Sequence, residues 1–250
     1  MQYEVIVLGA TFTAAGIAEK YGEKCLIVER STEAGYEFLG ALHFGQDYEQ
    51  KPATEEAKKL FDVFTQKKAF NGKRVCLYDC APSLYKLLEG KNVLLNTEII
   101  SVEKDAENGF LCTVHGVKGY RTFKAKRVVD TRVHTFMYSE KTFNFSVDTK
   151  DGFCKMPGMI CEKWGFERNA VLRIPMEKEA SYSKARKMVH EAAKHLPDGA
   201  KLLCVANVFD YAIDSDYTVP GDGVVYLPSK AYRNPVLAFD AGVLFGGDAK

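Results

Sequence analysis

The sequence predicts an α/β fold: a Rossmann-like parallel sheet with helices, joined to a second, antiparallel α+β subdomain. Three observations predict it. The first is "VIVLGATFTAAGIAEKYGEKCLIVER" (Val5–Arg30): an apolar β-branched run, a small-residue turn, an alanine-rich segment, a second apolar run and a carboxylate. The second is a series of strand-like runs from Lys91 to Val133, punctuated by turn signals at Asn108-Gly109, Gly116 and Gly119. The third is a change of character from about Phe136, where aromatic strand-like runs flank one amphipathic helix.

In chain order, Glu4–Gly9 is continuously apolar, the pattern of a strand covered on both faces in a parallel sheet. Phe12–Tyr21 suits a helix packed closely on that strand, and Cys25–Val28 is the next strand, which completes a βαβ unit. Ser31–Gln50 has no clear period and reads as a long loop, of a length that in compact domains usually serves function. Helices follow over Ala53–Lys67 and Asp79–Gly90, the latter with Pro82 near its first turn and Gly90 as a stop. "RVVDT" (Arg127–Thr131) is read as a return to the parallel sheet. Beyond it, strands are expected at Thr142–Val147, Ala170–Ile174 and Lys201–Val208, and a helix at Ser181–His195. Val236–Phe245 is read as a last strand, returning to the first sheet. The domains so defined are 1–135 with 230–250, the dinucleotide-binding body, and 136–229, the substrate-type antiparallel sheet.

At 250 residues the chain is long enough for one large domain or two small ones. Hydrophobic residues at 46% and charged residues at 27% are those of a globular protein. A net charge of +1 supplies no field for gathering nucleic acid or anionic lipid, so a small-molecule partner is expected instead. The N-terminus lacks the pattern of a secretory signal and no apolar run is long enough to span a bilayer, which predicts a cytoplasmic protein without a membrane partner. The 7 cysteines have irregular spacing without a CxxC pair, which predicts buried thiols and neither a disulfide framework nor a metal site. Nothing in the sequence sets the oligomeric state.

The chemistry concentrates in the opening turn. A dinucleotide-binding turn needs a first glycine for the bend, a second for close approach of the pyrophosphate, and a third for helix–strand packing. Gly9 fills the first place, Thr11 the second and Ala14 the third. The helix amino terminus offers unpaired amides and partial positive charge to a phosphate. Thr11 brings a Cβ into that space and weakens the site, while its hydroxyl, or that of Thr13, is a donor toward a phosphate oxygen. Glu29 follows Gly9 by 20 residues, where a carboxylate accepts from ribose hydroxyls and repels a 2′-phosphate, disfavouring NADP.

With these residues placed, the chain resembles the FAD-dependent oxidoreductases whose Rossmann-type flavin domain is interrupted by a strand-rich substrate domain, as a short or degenerate member. "YEVIVLGATFTAAGIA" with "CLIVER" is similar to the family's opening, and "LYKLLEGKNVLLNTEIISVEKDAENGFLCTVHGVKGYRTFKAKRVVDT" to its middle section. "GVLFGGDA" resembles its late glycine-aspartate motif. The resemblance implies FAD as cofactor. It puts Gly9, Thr11, Thr13 and Ala14 at the pyrophosphate, Glu29 and Arg30 at the adenosine, Ile99 or Ile100 beside the adenine, and Asp248 on the ribityl chain. The departures are Thr11, the absence of a threonine-glycine ending after Asp130, and the loss beyond Asp248 of the helix whose amino terminus faces the flavin phosphates.

Flavin enzymes leave the redox chemistry to the cofactor, so few catalytic side chains are required. His43 in "GALHFG" is the catalytic candidate, as a base or charge partner facing the flavin. Tyr232 and Arg233 are placed to meet a substrate carboxylate or to form a surface turn. The resulting reading is an FAD-dependent oxidoreductase acting on a small molecule. The alternative is a non-catalytic binding or assembly protein that keeps the flavoprotein body without the cofactor. A small NAD-binding dehydrogenase is disfavoured, because the single βαβ fingerprint leads into a meander and not into a second mononucleotide-binding half.

Overall fold

Strand β1 (Gln2–Leu8) has an uninterrupted apolar stretch and lies in the middle of a parallel array, as a strand without a polar face must. In the computed structural model, which describes residues 2–66, 76–105, 109–134, 136–150, 152–163, 169–213, 219–220 and 223–246, its alternate side chains serve two cores. Val5 and Val7 face the helices, whereas Ile6 and Leu8 face the other side of the sheet. Helix α1 (Phe12–Tyr21) crosses to β2 (Cys25–Val28), which pairs parallel with β1. Helices α2 (Glu55–Gln66) and α3 (Leu77–Leu88) lead to β3 (Asn92–Leu94), parallel to β2. Because α3 starts at Leu77, Pro82 lies inside it and not in its first turn.

The meander β4 (Glu98–Asp105), β5 (Gly109–Gly116) and β6 (Gly119–Asp130) follows. Strand β6 does two jobs. Its first part pairs antiparallel with β5, and its last part, Lys124–Asp130, lies parallel to β1. The sequence reading of Arg127–Thr131 as a return to the parallel sheet describes this second part. The meander caps the sheet through Tyr3, Ile6, Leu26, Phe110 and Val114.

A second sheet is built from β7 (Glu140–Asp148), β8 (Ile160–Lys163), β9 (Asn169–Pro175), β10 (Lys201–Val205) and β11 (Asp210–Ala212), all antiparallel, with α4 (Tyr182–Lys194) packed on it. Its core includes Phe143, Phe145, Leu172, Ile174 and Val189. The chain then returns to the first sheet at β12 (Val219–Pro220) and β13 (Val224–Tyr226), the latter parallel to β6. The return therefore comes ahead of residue 230, where the sequence reading put it.

The last apolar run corrects that reading further. Val236–Phe245 is not a strand: Pro235–Leu244 forms α5, capped by Asn234, whose side chain accepts from Leu237 N. Pro235 opens it, with its missing N–H at a position that needs no donor. Helix α5 is apolar but for Asp240 and shows no amphipathic face, because it is buried over most of its surface, against α1 and α2. At the α1–α5 crossing Gly16 meets Gly242, backbone against backbone, and Thr13 Oγ1 donates to Ala238 O at 2.9 Å. Asp240 on α5 accepts from Ala53 N, Thr54 N and Thr54 Oγ1 and so holds the start of α2. Among the described residues no helix is long and apolar enough to cross a membrane. None of the seven cysteines forms a disulfide among the described residues, and five are buried.

Candidate functional site

At the carboxyl end of β1 the chain bends through Gly9, whose φ of +98° is open to glycine and strained for other residues. A Cβ there would also stand 2.7 Å from Arg132 Cγ. Thr11 follows as the N-cap of α1. Its hydroxyl accepts from Ala14 N at 3.1 Å and donates to Thr131 Oγ1 at 2.9 Å. The threonine that replaces the fingerprint's second glycine is thus a capping residue.

The other free amides at the start of α1 are also taken by the chain itself. Phe12 N donates to Glu37 Oε1 at 2.8 Å, and Thr13 N donates to Ser229 Oγ at 3.3 Å. Ser229 Oγ in turn donates to Glu37 Oε1 at 2.8 Å. Glu29, just past β2, points to the same turn: Oε2 accepts from Ala10 N at 3.0 Å and Oε1 from Ser31 N at 2.8 Å. Ala10, Thr11, Phe12, Thr13 and Ala14 all have 0% exposure.

The Glu37 carboxyl comes from a π-helical turn, Tyr36–Gly40, inside what the sequence presents as a loop. Burial pushes its pKa up to about 7, against the Phe12 amide and the Ser229 hydroxyl, which pull it down. Its second oxygen, Oε2, is buried without a hydrogen-bond partner among the described residues. The folded state therefore keeps this proton to about pH 7, well above the 4.5 of an ordinary glutamate, so across that interval folding takes up a proton and stability falls as pH rises. The slope approaches about 1.4 kcal/mol per pH unit where the two states differ by one full proton. His43, held neutral by burial, acts in the opposite sense below its ordinary value of 6.5, so the contribution of Glu37 is read as a difference between proteins. Glu37→Gln is expected to lose this decline, measured by urea unfolding from about pH 5 to pH 8. Parallel wild-type and variant curves would remove the buried acid from this account.

Beyond the turn, a crevice of about 460 Å³ runs between the two sheets. Arg30, Tyr36, Glu37, Arg132, His134 and Lys230 line its polar side, and Tyr182, Phe209 and Tyr211 its aromatic side. Arg132 forks onto Asp130, with Nε to Oδ1 at 2.9 Å and Nη2 to Oδ2 at 2.7 Å, and His134 Nε2 lies 2.9 Å from Oδ2. Burial opposes ionisation of Asp130, but these bonds outweigh it and hold its pKa down.

Next to the crevice a second cavity of about 220 Å³ holds a buried ionic cluster. Lys230 Nζ stands 2.8 Å from Asp210 Oδ1, an ion pair without hydrogen-bond alignment. His43 Nδ1 lies 3.0 Å from Asp210 Oδ2 and 3.2 Å from Arg173 Nη2, which also reaches Glu162 at 3.0 Å. Asn144 Nδ2 donates to Asp210 Oδ2 at 3.1 Å. Burial works against the Asp210 charge, yet Lys230, His43 and Arg173 hold its pKa well below the ordinary range. Lys230 lines both cavities.

The structure therefore gathers Gly9, Thr11, Thr13, Ala14 and Glu29 at one turn, with Arg30 on the adjoining crevice. His43 sits in the neighbouring cavity with Tyr232 and Arg233. Ile100 is 51% exposed and Ile99 packs on the meander core, so neither lines the crevice. Asp248 lies outside the described residues. The segment leading into α5, Leu227–Arg233, contains neither glycine nor aspartate. These residues do not fit an FAD diphosphate: the amides that would hold it are buried and already bonded to a carboxylate and two hydroxyls. Sequence reasoning missed Glu37, Ser229, Lys230, Asp210 and Arg173. The Asp130–His134 spacing was the one local signal it passed over, and the remaining contacts join distant parts of the chain.

No family model matches the sequence, and no curated protein matches it. Solved structures do. The p-nitrophenol 4-monooxygenase PnpA from Pseudomonas putida DLL-E4 aligns with a TM-score of 0.63 at 13% identity, over 97% of this chain and 77% of that one. A geranylgeranyl bacteriochlorophyll reductase-like protein from Thermoplasma acidophilum gives 0.58 at 13%, over 97% and 76%. A flavoprotein/dehydrogenase from Cytophaga hutchinsonii gives 0.51 at 12%, over 97% and 76%. At such identities the likeness is one of fold: the chain has the fold of flavoprotein oxidoreductases.

Proposed function

We propose that this chain is a small-molecule-binding protein on a flavoprotein oxidoreductase fold, which takes its ligand in the crevice between the sheets without anchoring a dinucleotide by its diphosphate. One observation carries the reading: the phosphate-binding end of α1 is buried and capped by Glu37, Ser229 and Thr11. A phosphate entering there would meet a fixed carboxylate where the fold normally offers bare amides. The crevice has the size and the mixed aromatic and polar lining of a small-molecule site.

The second reading is an FAD-dependent oxidoreductase acting on a small molecule. It is favoured by the fold and by Glu29 standing at the turn. The purified protein separates the two. It is expected to be colourless, and FAD added to about 1 mM is expected to leave its melting temperature unchanged, since a ligand bound to the folded state raises stability by RT ln(1 + [L]/Kd). A yellow protein, or a melting temperature that climbs with FAD, would overturn the proposal in favour of the oxidoreductase.

A further inference from the structure

We infer that Glu37 is an internal substitute for a phosphate group, and that vacating its seat exposes a diphosphate site on α1. The inference rests on the reading above, and it singles out the one acidic group among the three side chains that cap α1.

The seat has the geometry of a bound anion. Glu37 Oε1 receives the Phe12 amide directly and the Ser229 hydroxyl beside it, while Ser229 also receives the Thr13 amide. Two successive amides of a helix amino terminus thus converge on one carboxylate, directly or through one hydroxyl, which is how such termini hold phosphates. The Glu37 side chain lines the crevice and is 4% exposed, and its other oxygen is buried and unpartnered among the described residues. A side chain placed only to cap a helix has no need to bring an unsatisfied oxygen into the interior. Above about pH 7, where Glu37 ionises, that oxygen is the surplus acceptor that an oxyanion standing in for a larger one carries.

The seat is also built into the fold. Gly35, at a φ of +74°, donates from its N to Ala10 O at 2.7 Å and so ties the Glu37 segment to the turn it blocks. Phe38 is wholly buried against Phe12, with ring centroids 5.9 Å apart. Two neighbours anchored in separate contacts fix where the carboxyl goes. Of the cations on the crevice, Lys230 is paired with Asp210 and Arg132 with Asp130.

The test compares wild type, Glu37→Ala and Glu37→Gln at about pH 8, where Glu37 is ionised. Inorganic pyrophosphate and ADP are titrated by calorimetry, FAD in parallel, and the amide signals of Phe12 and Thr13 are followed by NMR. Glu37→Ala is expected to bind ADP and pyrophosphate about tenfold or more tightly than wild type, which corresponds to about 1.4 kcal/mol, with both amide signals shifting. Glu37→Gln keeps an acceptor for Phe12 N without the charge and is expected to fall between them. A folded Glu37→Ala protein with no gain over wild type would overturn the inference and leave the ligand-binding reading standing. If Glu37→Ala does not fold, Glu37→Gln decides, and an affinity equal to wild type overturns it. Tight FAD binding by wild type would instead sink the reading on which the inference rests.

Discussion

Asp210→Ala is expected to destabilise the protein by about 3–5 kcal/mol, the range for breaking a buried ion pair from one side. Asp210 is 3% exposed, and its carboxylate is the counter-charge of Lys230, whose side chain is 4% exposed, and the partner of His43 and Asn144. Removing it strands the Lys230 ammonium in the interior, beside an Arg173 guanidinium that keeps Glu162 as its partner. Burial already lowers the Lys230 pKa, and without Asp210 nothing comparable opposes it. A second substitution, Lys230→Met, should recover a large part of the loss, because two matched apolar groups cost less than one uncompensated charge. Urea unfolding of the single and double variants measures both. The acid limb gives a further check. Asp210 has a folded pKa below its unfolded value, so its contribution is complete above about pH 4 and is lost as pH falls through the folded pKa. Asp210→Ala should therefore show a shallower loss of stability in acid. A destabilisation under about 1 kcal/mol would mean that water or movement screens the cluster.

That cluster also marks where sequence reading stops. The bounds of α1 and β2 were legible to the residue, because an apolar run, a small-residue turn and an alanine-rich segment leave few other local structures. Glu37 was not legible, since its meaning depends on Phe12 and Ser229, which are 25 and 192 residues away. In sequence it is one glutamate in a glycine-containing loop. Nor did Lys230 announce itself, as "SKAYRNP" has the composition of a surface turn and becomes interior where Lys230 meets Asp210 and Phe38. The misreading of Val236–Phe245 has a different cause. A helix buried all round shows no amphipathic period, and a short apolar run then looks like a buried strand. The discriminating signal was upstream of the run, in Asn234-Pro235, a capping residue followed by proline at the first helical position.

Correcting that element exposes the second large effect, at Gly242. In an ordinary helix interior, replacing glycine by alanine gains about 1 kcal/mol, because the unfolded chain loses freedom. Here the sign should reverse. A Cβ at Gly242 would run into Thr13 O and come within 2.9 Å of Gly16 Cα and Ile17 N, all main-chain atoms of α1 that cannot rotate away. The helices must separate, and α1 is not free to move: Val5, Val7 and Ile27 pack beneath it, and its first amides are fixed by Glu37 and Ser229. Gly242→Ala is therefore expected to destabilise by about 1–3 kcal/mol and Gly242→Val by more, the cost of overpacking a close helix contact. For a chain of this size that is a fall in melting temperature of roughly 2–4 °C per kcal/mol. The Thr13 Oγ1–Ala238 O bond spans the same contact, so the shift should also reach the candidate site and weaken protection of the Phe12 and Thr13 amides against hydrogen exchange. A Gly242→Ala protein as stable as wild type, with those amides equally protected, would show that the two helices do not meet at the glycines and that α5 does not hold the capped turn in place.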